Sequence, residues 1–136
     1  MTTLPVSWLQ RASWSAAGLT GAACGYGAIA LAAHARAYCG AGADAGGNLE
    51  LNLLILPFIA LFSLGAVSVA AVARRATLRR PRTVRAAVQL VAVLGILSAL
   101  TVWFFAARGT LDGYPGDTGL CPASNIPPWW PRWLPA

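Results

Sequence analysis

Cysteine, histidine and carboxylate side chains carry much of protein chemistry, and this chain has few of them. They are Cys24, Cys39 and Cys121, the single His34, and the acids Asp44, Glu50, Asp112 and Asp117. A metal site gathers such donors at short, recognisable spacings so that several reach one ion. No two of them share such a spacing here, so no metal is expected. The stretch "DGYPGDTG" at 112–119 resembles a calcium loop, but its aspartates stand five apart and the EF-hand pattern is missing. It reads as turns. A thiol enzyme needs a C-x-x-C pair or a base beside its nucleophile, and the chain shows neither. G-x-S-x-G, H-E-x-x-H, Walker A and G-x-G-x-x-G are also absent. The expectation is a protein that is not an enzyme and holds no cofactor.

The elements that position these residues follow from hydropathy. Of 136 residues 57% are hydrophobic and 10% are charged, whereas soluble domains carry about 25% charged residues. Three uncharged runs stand out: Trp14 to Ala33, Leu53 to Ala73 and Ala86 to Ala107. At 1.5 Å per residue each makes a helix about 30 Å long, the thickness of a bilayer core. Lipid offers no water to backbone polar groups, so each span must be helical. The fold class is therefore an all-α integral membrane protein forming one domain, with three transmembrane helices at about 14–34, 50–73 and 85–107. Between and after them lie loops at 35–49 and 74–85 and a tail at 108–136. The first run also resembles a signal peptide, with "AHA" at 33–35, but it is long for that role and rich in glycine. Its cleavage would leave two spans in the same orientation.

Orientation rests on "RRATLRRPRTVR" at 74–85, which holds Arg74, Arg75, Arg79, Arg80, Arg82 and Arg85. Basic residues in short loops stay cytoplasmic. With that loop inside, the N-terminus is cytoplasmic and the tail extracytoplasmic. Seven arginines then lie inside, and all four acids lie outside with Arg36, Arg108 and Arg132. A twelve-residue loop between two membrane helices is too narrow to track nucleic acid, so no nucleic-acid partner is expected. Its second role is contact with anionic headgroups of the bilayer. Pro81 divides the run, so helical extensions should flank a turn. The outer loop should be hydrated, with an Arg36–Glu50 pair.

With the sides assigned, Cys39 and Cys121 fall together in the oxidising compartment while Cys24 is buried in the first span. A disulfide between them is expected, with free thiols for redox sensing or metal binding as the rival. It would tie the tail over the first loop as a cap. Ala17, Gly21 and Gly25 form a small-residue stripe at intervals of four, which lets another helix approach closely. Whether that helix belongs to this chain or another is open. Pro57 should kink the second span, and Gln89, Ser98 and Thr101 could bond between helices. No charged residue lies near a midplane, which argues against a proton relay or an ion-coupled transporter.

The tail ends "NIPPWWPRWLPA", which should be extended or polyproline-like. Trp129, Trp130 and Trp133 suit the membrane interface. A proline-rich ligand for a partner protein is the rival reading. The functional expectation is an accessory or assembly subunit of a larger complex, or a homo-oligomer, in the plasma (cytoplasmic) membrane. Its partners would be lipid and other membrane subunits or itself. The alternative is a small channel or transporter component.

Overall fold

The computed structural model describes residues 8–42, 44–109, 116 and 118–136. It contains α1 (Trp8–Cys39), α2 (Ala45–Ala76) and α3 (Arg82–Ala107), and no strand among the described residues. All three helices are long and apolar enough to cross a membrane.

Each helix runs past the apolar stretch that marks it in the sequence. α1 and α2 have 32 residues and α3 has 26, so they are about 48, 48 and 39 Å long at 1.5 Å per residue. The connections are correspondingly short. The segment 35–49 is not a loop but the ends of α1 and α2 joined by 40–44, and only 77–81 separates α2 from α3. Hydropathy marks only the apolar part of each helix. The backbone ladder continues beyond that part because alanine and arginine are good helix formers in water as well.

The helix ends have identifiable stops. Gly40 adopts φ 68° just after α1, and the Ala41 amide bonds back to the Arg36 carbonyl at 2.9 Å. A side chain there would oppose the left-handed turn. Asp44 caps α2 by accepting from the Gly47 amide at 3.2 Å. At the far end of α2, the Thr77 hydroxyl donates to the Ala73 carbonyl at 2.7 Å. α2 passes through Pro57 as a single helix.

α2 is the centre of the bundle. It packs most extensively on α1 and less on α3, and α1 and α3 meet least. The α1 crossing is at backbone distance. A Cβ on Gly21 would stand 2.5 Å from the Phe62 carbonyl oxygen, and one on Gly25 would stand 2.8 Å from that of Phe58. The helix that fits the small-residue stripe thus belongs to the same chain, and Ala17 packs at the edge of the same core. The Ser63 hydroxyl donates to the Gly18 carbonyl at 2.7 Å. α3 is held by the Gln89 amide on the Ala70 carbonyl at 3.1 Å, and by Phe104, which meets Phe58 edge to face at 4.9 Å. Thr101 bonds within its own helix, to the Leu97 carbonyl. Leu53, Leu56 and Leu64 on α2 and Leu90 and Val91 on α3 point away from the core and stay exposed. Water would penalise so much outward leucine, whereas lipid solvates it.

Candidate functional site

One end of the bundle carries the disulfide and the other carries the arginines. At the disulfide end, the last turns of α1 present His34, Arg36, Tyr38 and Cys39, and the tail folds onto them. Cys39 and Cys121 stand at disulfide distance, with Cα atoms 5.4 Å apart across 82 sequence positions. The Thr118 hydroxyl donates to the Tyr38 carbonyl at 3.1 Å. A helix leaves its last carbonyls without partners, and here the tail supplies one. Gly116 lies close against the Cys39 carbonyl and the Asn125 side chain, leaving no room for a Cβ.

The tail is not an extended polyproline segment. It coils through three successive turns, closed by Asn125 on Pro122 at 2.8 Å, Trp130 on Pro127 at 2.9 Å and Leu134 on Pro131 at 3.0 Å. Proline's fixed φ near −65° fits turn positions as well as polyproline geometry, so contact with the bundle decides between them. Asn125 takes φ 56°, a conformation asparagine tolerates better than most residues.

The turns bring Trp130 and Leu134 into the core and bury Pro127 fully. Trp130 meets Phe105 edge to face at 5.3 Å, and its indole N–H donates to the Leu134 carbonyl at 3.1 Å. It is therefore a core residue and not an interfacial anchor, because both its apolar body and its polar N–H are satisfied inside the protein. Trp129 is 41% exposed and Trp133 is 72% exposed. Trp129 lies against His34 at 5.5 Å and Tyr38 at 5.8 Å, which share a face of α1 one turn apart.

Arg36 is buried rather than hydrated. Its guanidinium donates to the Arg108 carbonyl at 3.4 Å, at the C-terminus of α3. A cation at that end of a helix complements the dipole. Helix α1 extends past residue 34, and this extension carries Arg36 into the bundle end. Asp112, Tyr114 and Asp117 lie outside the described residues.

At the opposite end, the six arginines divide into two groups. Arg74 and Arg75 occupy the last turn of α2, where positive charge is favourable. Arg75, Arg79, Arg80 and Arg82 are exposed and Arg74 is half-buried. Arg85 turns inward. It donates to the carbonyls of Leu78 at 2.8 Å, Arg80 at 3.3 Å and Thr77 at 3.4 Å. It closes the α2–α3 turn.

Among the described residues, no group of three or more His, Cys, Asp or Glu could hold a metal. Cys24 remains a free thiol in α1. Sequence reasoning missed the inward turn of Arg85, the burial of Arg36 and the Ser63 hydrogen bond. Only Arg85 had a local signal, since it stands one turn into a helix that follows a tight connection. No protein-family model, curated protein or solved structure matches this chain.

Proposed function

We propose that this chain is a non-catalytic, multi-pass membrane protein that serves as an accessory or assembly subunit of a larger membrane complex, or as a homo-oligomer. The observation that carries this reading is the stapled cap. Cys39–Cys121, Pro127 and Trp130 anchor the tail, while Trp129 and Trp133 remain exposed on the same segment. Rigid aromatic side chains at an exposed position lose little entropy on contact and dominate many protein interfaces. A partner on this face would therefore meet a preorganised surface. The test is purification of a tagged copy from membranes under non-reducing conditions. A stoichiometric partner or a species larger than the monomer is expected, and it should be lost in Cys39→Ser/Cys121→Ser. A lone monomer in both forms would sink the reading.

In this proposal the arginine end is cytoplasmic, the disulfide end is extracytoplasmic, and the membrane is the plasma membrane. The seven-to-three distribution of arginines supports that orientation. In a variant with Cys24 replaced by alanine and Cys39 and Cys121 by serine, a new cysteine at exposed Ser124 should react with an impermeant thiol reagent in intact cells. One at exposed Thr83 should stay protected until the cells are opened. The reverse pattern would invert the topology.

A further inference from the structure

Toward the arginine end, the α1–α2 contact passes from backbone to side chains. Gly25 and Gly21 lie against the backbone of Phe58 and Phe62, but at Gly18 the nearest atoms are the side-chain ends of Ser63 and Val67, 3.5 Å from where a Cβ would stand. One turn further the space becomes a groove of about 420 Å³. Trp14 of α1, Val67 and Ala71 of α2, and Leu78 of the turn make it apolar, and Arg74 and Arg75 line it as well. The Trp14 indole N–H is buried and has no acceptor among the described residues. A buried donor without an acceptor is disfavoured, and Trp14 is itself one of the residues lining the groove.

We infer that this groove is a binding site for an anionic glycerophospholipid. The phosphate would sit at Arg74 and Arg75, the Trp14 indole would donate to a headgroup or ester oxygen, and an acyl chain would follow Val67 and Ala71. The chemistry of the walls selects this occupant. Guanidinium next to apolar surface at the end of a membrane-length helix calls for a molecule with an anionic head and a hydrocarbon body. The stretch 74–85 has six arginines and no acid, so an anion meets no repulsion there. A second hollow, lined by Arg75, Ala76, Leu78, Arg79 and Arg80, shares Arg75 but has no tryptophan or valine wall. Arg82 lines neither hollow, and Arg85 is committed to the turn.

This inference rests on the reading that the helices cross a membrane, which would fail separately if alkaline carbonate released the chain from the membrane fraction. The test is native mass spectrometry of the full chain in detergent, incubated with an equimolar mixture of phosphatidylglycerol and phosphatidylcholine of the same acyl chains. Phosphatidylglycerol adducts should dominate. Arg74→Gln should weaken them about fivefold, the effect of one arginine near an anionic surface. Arg82→Gln, which removes the same charge outside the groove, should change them less than about twofold. Trp14→Phe, which keeps an aromatic ring but loses the indole N–H, should also weaken them. Equal retention of the two lipids would overturn the site. Equal losses in the two arginine variants would replace it with diffuse surface charge. Displacement of phosphatidylglycerol by millimolar inorganic phosphate would show an anion site with no lipid specificity and would equally overturn it. Lysine at position 74 should restore much of the binding, which a merely misfolded glutamine variant would not explain.

Discussion

Two arginines in this molecule close two helix ends, and they do so over very different spans of sequence. Arg85 reaches back to the carbonyls of Thr77, Leu78 and Arg80, at most eight positions away. Arg36 reaches the Arg108 carbonyl across 72 positions. The contacts that tie each end together divide in the same way. At the arginine end the turn is made by Thr77 on Ala73 and Arg85 on its near neighbours. At the disulfide end the contacts join Tyr38 to Thr118, Cys39 to Cys121 and Phe105 to Trp130. A local turn can close whenever its own residues meet, because the loop entropy is small. The cap draws on α1, α3 and the tail together. Its integrity therefore reports on the whole bundle, while that of the arginine turn reports on a hairpin.

The variant with the largest expected effect acts on the element both ends depend on. Gly21→Leu places a side chain where the Phe62 backbone lies and forces α1 from α2, at a cost of about 3 kcal/mol or more. Unfolding of the purified protein in mixed micelles, followed by circular dichroism as the denaturing detergent is increased, should show an early transition. An unchanged midpoint would mean that the α1–α2 crossing does not hold the fold.

Trp130→Ala comes next, at about 3 kcal/mol for truncating a buried tryptophan. The loss should be uneven. Hydrogen exchange should rise across 122–134 and leave the amides at 77–89 protected. Equal loosening at both ends would break the distinction drawn between them. Arg85→Gln is expected to cost about 1–2 kcal/mol, since several carbonyls lose a charged donor. Its exchange signature should stay within 77–82 and leave the tail unaffected. Arg82→Gln, on an exposed side chain, should change stability by less than about 0.5 kcal/mol, which sets the scale for arginines that serve only as charge.

The three helices were legible because a bilayer imposes its thickness on the sequence directly, as runs free of charge from Trp14, Leu53 and Ala86 onward. The cysteine pairing was legible for a related reason. A membrane divides a chain into compartments, and two of three cysteines fall outside the apolar runs and are separated by two spans, which returns them to the same face. Helix ends were less so. Residues 35–39 and 45–49 are helical without being strongly apolar, and hydropathy is blind to them.

What the sequence by itself determined is the number of helices, their approximate centres and the presence of one close-packing face at Ala17, Gly21 and Gly25. Each is a periodic or compositional property of a contiguous segment. Which helix that face meets, whether a given arginine faces outward or closes a turn, and whether a tryptophan near the C-terminus lies in lipid or in the core were decided by the tertiary structure. Trp129 and Trp130 are adjacent and chemically identical, yet one is 41% exposed and the other 8%. The turn closed by Pro127 directs the second ring onto Phe105 and leaves the first on the face of α1. Neighbours in sequence share a composition but not a direction, and direction is fixed only when distant segments pack.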